Sequence, residues 1–280
     1  MDDHTVVGRM LAVLDAVADL ADAATLAALT RCTGIPKPTV RRIAADLCAR
    51  GVLLRAGGSY RLGPRLLELG LRTAAKDSLR LAAAPHIWDL FARTGEIVWI
   101  STITETSHFL LDSAFGANRA SDMRRPWPTT IRSMGFLTTA AGRILLADRP
   151  ELAEELGSQP IPRLTPYSLT TWPRLIAAAR AAAEDGIATE REQSLLGYSC
   201  MAAGIRGPDH TVVGVLGVLG RAHAMALHRF TRPLLAAADD IEQALHRAAG
   251  RPVGRPASRA VGRLTEGAEG TGGLDIRCPM

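Results

Sequence analysis

The 280-residue chain carries a formal net charge of +5, with 47% hydrophobic and 22% charged residues, the balance of a soluble globular protein long enough for two domains with cores of their own. No apolar run is long enough to span a bilayer, and the start MDDHTVVGRM is acidic where an export signal would be basic and then apolar, so a cytoplasmic protein is expected. Cys32, Cys48, Cys200 and Cys278 lie too far apart for a disulfide framework or a zinc knuckle, and the seven histidines form no metal-binding spacing, so reduced thiols, no metal and no cofactor are expected.

Along the chain, Val6, Met10, Val13, Leu14 and Val17 recur at helical spacing and predict a first helix over 6–20. A short apolar-periodic run at Leu26 to Leu29 ends near Thr33 and Gly34, and a third helix begins in the Ile35-Pro36-Lys37-Pro38 segment. Prolines fit only the first turn of a helix, and Gly51 supplies a left-handed stop. Within that helix Val40, Ile43, Ala44 and Leu47 form one apolar face, while Lys37, Thr39, Arg41, Arg42 and Ala45 face elsewhere. Runs at Val52 to Arg55 and Ser59 to Leu62, separated by Ala56-Gly57-Gly58, predict a hairpin. Helix, turn, basic helix and hairpin, in that order, make a winged helix-turn-helix over residues 1–63.

Charge is concentrated in the same region. Between Arg31 and Arg72, nine basic residues (Arg31, Lys37, Arg41, Arg42, Arg50, Arg55, Arg61, Arg65 and Arg72) face two acids, Asp46 and Glu68, a net +7 in one stretch. Such a helix fits the major groove of double-stranded DNA, with side chains near its N-terminus reaching base edges and its amides and hydroxyls holding phosphates. Lys37, Thr39, Arg41 and Arg42 are the expected readers, with Ser59, Tyr60 and Arg61 of the wing touching the backbone or the minor groove.

Pro64 opens a helical pattern through Leu66, Leu67, Leu69 and Leu71, a linker helix over 64–80, and a further helix is expected at Ala82 to Arg93. Beyond Gly95, strands at 97–104, 108–113 and 212–219 alternate with helices at 138–147, 172–184 and 229–249, so residues 81–249 form an α+β domain with an antiparallel sheet. The tail 250–280, rich in Gly, Pro, Arg and Ala without periodicity, is expected to be disordered.

The stretch TLAALTRCTGIPKPTVRRIAADLCARGVLLRAGGSYRLGPRLLELG at 25–70 resembles the DNA-binding domain of the IclR family of bacterial transcriptional regulators. Looser similarities follow at Phe91 to Glu96, in AGRILLA at 141–147, PRLTP at 162–166 and GYSCMAA at 197–203. The resemblance implies a GAF-like effector-binding domain and a homodimer or dimer of dimers on a DNA operator, acting as repressor or activator under control of a small-molecule effector. It places the effector pocket at Met134, Ala140 and Ala141, then Glu190, Tyr198 and Cys200, then Gly217 and Leu219. It also exposes departures: Leu137 stands where the family often has a histidine, and Gly217 and Leu219 where it often has hydroxyl-bearing serines. A buried carboxylate needs converging donors. Their loss points to a less polar or bulkier effector, with Gly217 making room, or to a second domain that has lost its ligand.

Other motifs read as structural. Gly214, Gly217 and Gly220 are separated by Val and Leu, which makes a buried strand rather than a phosphate loop. Ser199 and Cys200 have no base nearby in sequence, so an enzyme with an accessory DNA-binding domain is the weaker alternative. Glu190 and Cys200 alternatively read as an exposed acid and a small buried hydrophobe. Arg119, Arg124 and Arg125 near Trp127 read as a solvated loop.

Overall fold

The structure is a computed structural model and describes residues 5–74, 77–105, 107–123 and 133–250. The expected tail beyond 250, together with Arg124, Arg125 and Trp127, lies outside the described residues.

The N-terminal unit is built by capping chemistry. Helix α1 (Val6–Leu20) starts on Thr5, whose hydroxyl accepts from the Gly8 amide at 2.9 Å, and α2 (Leu26–Thr33) starts in the same way on Thr25. Gly34, at φ +68°, ends α2 in the left-handed region, and three residues later α3 (Lys37–Ala49) begins. Its N-cap is Pro36, whose carbonyl accepts from the Thr39 and Val40 amides, and Pro38 occupies the first turn. Val40, Ala44 and Leu47 are buried against Val13, Val17 and Leu29, which closes the core of this unit.

Strands β1 (Leu53–Ala56) and β2 (Ser59–Leu62) pair antiparallel with Ala56 opposite Ser59. Gly57 and Gly58 both have positive φ, so they form the two-residue turn whose twist suits a hairpin. The hairpin is anchored to the helices by an isolated bridge between Thr25 and Ser59 and by the Tyr60 amide donating to Ala24 O at 2.9 Å. Helix α4 (Pro64–Ala74) follows, with Leu67 and Leu71 well exposed.

The following helix, α5 (Ser78–Thr94), begins four residues earlier than the expected start at 82. Asp77 caps it, accepting from the Arg80 amide at 2.9 Å. A five-stranded antiparallel sheet then forms from β3 (Ile97–Ile103), β4 (His108–Ala114), β5 (Ile187–Arg191), β6 (Tyr198–Arg206) and β7 (Val212–Arg221), in the order β4-β3-β7-β6-β5. The sheet and its antiparallel sense match expectation, but β5 and β6 were not anticipated. Among the described residues, five α-helices lie between β4 and β5: α6 (Ala120–Met123), α7 (Met134–Leu137), α8 (Ala140–Asp148), α9 (Glu151–Leu156) and α10 (Trp172–Asp185). Helix α11 (Leu227–Ala249) closes the described chain.

The central strands of the sheet are buried on both faces, which is why β7 reads as a near-continuous apolar run. One face carries Val98, Ile100, Met201, Leu216 and Val218 against α5 and α11. The other carries Ile97, Trp99, Cys200, Ala202 and Leu219 against α7, α8 and α10. No helix among the described residues is long and apolar enough to cross a membrane.

Candidate functional site

Two surfaces carry chemistry. The first is the N-terminal half of α3. Lys37, Arg41 and Arg42 are exposed and Thr39 is half-buried, and among the described residues no carboxylate pairs with the three cations. Lys37 and Arg41, four residues apart, share one stripe of the helix. With Pro36 as cap and Pro38 lacking an N–H, the outward side of this turn is left to its side chains and to the amide of Lys37.

The wing differs from expectation at Tyr60. Its side chain is only 6% exposed and packs in the N-terminal core, so the ring faces the helices and not outward. Residues on a strand alternate in direction, and Arg61 therefore points away from that core. Its guanidinium is 3.0 Å from the Asp22 carboxylate, with both side chains well exposed. Ser59 is half-buried, and its Oγ donates to Ala56 O at 2.9 Å across the turn.

The second surface is a cavity of about 160 Å³ on the α8 face of the sheet. Register builds its floor: Glu190 on β5 pairs with Cys200 on β6, Cys200 with Leu219 on β7, and Leu219 with Ile97 on β3. Tyr198, two residues before Cys200, joins the same face, and Ala140 and Ala141 at the start of α8 form the opposite wall. Six of the eight positions expected for the effector pocket thus line the cavity: Ala140, Ala141, Glu190, Tyr198, Cys200 and Leu219. Met134 is buried in α7 but is not a lining residue.

Gly217 does not line the cavity and does not make room for a ligand. It pairs with Trp99 across β3 and β7, and the Trp99 indole fills the space its side chain would need. The expected extra volume is occupied by protein. Trp99 itself lines the cavity, together with His108, Phe136, Leu164 and Leu195, none of them anticipated from sequence. Trp99, His108 and Phe136 meet in an aromatic cluster, with the His108 ring 4.9 Å from that of Phe136 and edge-on to Trp99 at 6.2 Å.

Glu190 is buried, not exposed. Its Oε1 accepts from Ser194 Oγ at 2.7 Å, while Oε2 has no well-formed hydrogen bond. Burial pushes its carboxyl above the ordinary range, against the opposing pull of the Arg143 charge and of hydrogen bonding from Ser194 and Ala140. Arg143, only 2% exposed, is the unanticipated centre of this region. It donates to Thr189 O at 2.7 Å, to Thr138 O at 2.9 Å and to Gln193 Oε1 at 2.6 Å, tying α8 to β5 and the segment after it. Cys200 is buried beside Glu190, and burial together with that carboxylate pushes its thiol well above the ordinary value.

A charged network closes one end of the cavity. Asp122 accepts from Tyr198 Oη at 2.5 Å and from Arg221 Nη2 at 3.0 Å, and Arg119 bridges Asp122 and Glu96, the latter at 2.7 Å. Arg119 is therefore largely buried and paired, not part of a solvated loop. Burial raises the Glu96 carboxyl, partly opposed by Arg119.

Residues 72–243 match the bacterial transcriptional regulator IclR C-terminal family, and residues 6–57 match the IclR helix-turn-helix domain. The chain belongs to the IclR family of DNA-binding transcriptional regulators. Among its IclR relatives is the DNA-binding transcriptional repressor YiaJ of Escherichia coli strain K12, 28% identical over 200 residues, which cover 69% of this chain and 70% of that repressor. The HTH-type transcriptional regulator XynR of the same strain is 24% identical over 253 residues, 88% of this chain and 97% of XynR. An IclR homologue from Microbacterium hydrocarbonoxydans, solved in complex with 4-hydroxybenzoate, superposes with a TM-score of 0.67 at 25% identity, over 85% of this chain and 99% of that one.

Proposed function

We propose that this IclR regulator reads its operator with the first turns of α3 and reports a small, weakly polar effector bound in the sheet cavity. The observation that carries the reading is the pairing, within one chain, of an exposed cationic helix face with a cavity lined by aromatic side chains. Lys37, Thr39, Arg41 and Arg42 are the readers, with Ser59 and Arg61 on the wing as backbone contacts. Tyr60 acts through the core that holds the wing in place. In this division the linker is α4, and the effector-binding unit starts with α5.

The aromatic ligand of the Microbacterium relative supports a ring-sized occupant here. Ala140, Ala141, Glu190, Tyr198, Cys200 and Leu219 are the proposed contacts, joined by Trp99 and Phe136. Regulation works without turnover, in the cytoplasm: the buried Cys200, with its raised thiol, is not a nucleophile.

One winged helix reads one half-site, so a homodimer or a dimer of dimers suits a two-part operator. Val6, Val7, Leu67 and Leu71, all more than half exposed, offer apolar surface for such an assembly. An effector shifts operator affinity only by binding one arrangement of the two heads better than the other. The test is operator binding by the full chain across a salt series, with and without candidate effectors. Absence of binding at low salt would sink the DNA reading, and affinity unmoved by any compound that occupies the cavity would sink the effector reading.

A further inference from the structure

The cavity's volume and its polar atoms constrain what it takes, an inference that rests on reading the cavity as the effector site. About 160 Å³ is the size of a protein cavity that holds one aromatic ring, since apolar cavities near ~150 Å³ take up benzene. The walls suit a ring: Trp99, Phe136 and Tyr198 present faces and edges, and Leu164, Leu195 and Leu219 complete an apolar lining.

Apart from the ring nitrogens of Trp99, which bonds to Cys200, and of His108, the polar atoms of the lining are biased in one direction. The hydroxyl donors are already committed: Ser194 Oγ to Glu190, Thr139 Oγ1 to Phe136 O at 2.7 Å, and Tyr198 Oη to Asp122. Among the described residues, no Lys or Arg lines the cavity. The Nη groups of nearby Arg143 serve two carbonyls and Gln193, and Arg119 and Arg221 serve Asp122 and Glu96. Two carboxyl groups, Glu190 and Asp122, face the cavity, and Glu190 Oε2 is a buried oxygen with no well-formed hydrogen bond. An incoming carboxylate would lose its hydration, meet two carboxyl groups and find no Lys or Arg in the described lining. A neutral hydroxyl loses less hydration and satisfies Glu190 Oε2.

We propose that the cavity binds neutral single-ring phenols, the ring held among Trp99, Phe136 and Tyr198 and the hydroxyl bonded to Glu190 Oε2, and that it rejects aromatic carboxylates of the same size.

Three probes that share a methyl-substituted ring isolate the polar group: p-cresol, p-toluate and p-xylene, titrated calorimetrically into the full chain at neutral pH. A site built around one polar contact discriminates strongly against ligands that leave it unpaired. p-Cresol is expected to bind about tenfold tighter than p-xylene and at least about tenfold tighter than p-toluate. Glu190→Leu should bring p-cresol down to the level of p-xylene, and Glu190→Gln, which keeps an acceptor and removes the charge, should keep p-cresol and narrow the gap to p-toluate. Should Glu190→Leu fail to fold, the three probes on the unaltered protein and on Glu190→Gln still decide. p-Toluate binding as tightly as p-cresol, p-xylene matching p-cresol, or no binding by any of the three overturns the proposal. Operator affinity in the presence of each probe separates the two readings: p-cresol bound tightest without effect on the operator upholds the ligand class and removes the effector role, whereas p-toluate bound tightest with an effect does the reverse.

Discussion

The Trp99 indole occupies the place of a side chain at position 217. The two residues are partners across β3 and β7, and a Cβ built on Gly217 would collide with Trp99 Cζ2 and Cε2. Trp99 is 2% exposed and could yield only into the cavity it lines. Gly217→Ser is therefore expected to destabilise the protein by about 1–3 kcal/mol through overpacking. Adding Trp99→Ala to Gly217→Ser should recover part of that loss, and a double-mutant cycle by urea denaturation reads the coupling. Additive effects of the two changes would refute the packing account.

Asp122 and Glu190 pull stability in opposite directions as pH changes. Burial raises the Asp122 carboxyl, but its bond from Tyr198 and the charges of Arg221 and Arg119 outweigh burial and hold it below the ordinary value. Its contribution is complete above the unfolded value of about 3.9 and is lost as pH falls through the lower folded one. Glu190, raised by burial, keeps its proton longer in the folded chain than in the unfolded chain. Stability therefore falls as pH rises from about 4.3 through its folded value. Glu190→Gln should flatten the profile above about pH 4.3, and Asp122→Asn should flatten the acid limb below about pH 3.9. Denaturation midpoints across pH check both; a Glu190→Gln profile parallel to that of the unaltered protein would count against the assignment.

How much of this was legible in the sequence depends on the range of the interaction. Gly34, Pro36, Pro38, Gly51 and the Gly57-Gly58 pair act on their own backbone, so the helices and the hairpin of the N-terminal unit were readable. Tyr60 was not. In four-residue strands both faces mix polar and apolar side chains, and Leu54 and Leu62 are exposed while Tyr60 is buried, so alternation alone could not name the core face. The cavity row Glu190, Cys200 and Leu219 depends on pairings between distant strands, and only the family resemblance drew those positions together. Arg143 stood in a quoted motif without a role, because a charge is expected at the surface unless its partners are known. Those partners, Thr138, Thr189 and Gln193, come from segments up to 50 residues away.

Arg41 and Tyr60 should separate readout from support. Arg41 projects from the second turn of α3, the part of the helix proposed to meet base edges. Arg41→Ala is expected to cost about 1–3 kcal/mol of operator affinity and to relax base preference at one position. Tyr60→Phe keeps the buried ring and should leave operator affinity unchanged, whereas Tyr60→Ala should destabilise the N-terminal unit by about 3–5 kcal/mol. Binding titrations against operator variants, paired with thermal melts, test both. Loss of affinity in a fully folded Tyr60→Phe variant would restore a direct DNA contact for the hydroxyl.

Arg61 is held by Asp22 in the free protein, but weakly. The pair is exposed on both sides, and exposed ion pairs contribute only about 0–1 kcal/mol. A DNA phosphate reaching the wing competes for the same guanidinium and gains from counterion release. In the proposed complex Asp22 would compete with phosphate for Arg61 and add a negative charge near the backbone. Asp22→Asn is expected to tighten binding to operator and to unrelated DNA alike, because phosphate contacts carry no base information. Arg61→Ala should weaken both and lower the slope of log affinity against log salt by about 1. Filter-binding or fluorescence-anisotropy titrations over a salt series read the slope directly. An unchanged slope in Arg61→Ala would remove the wing from the phosphate contacts and leave α3 to hold the operator without it.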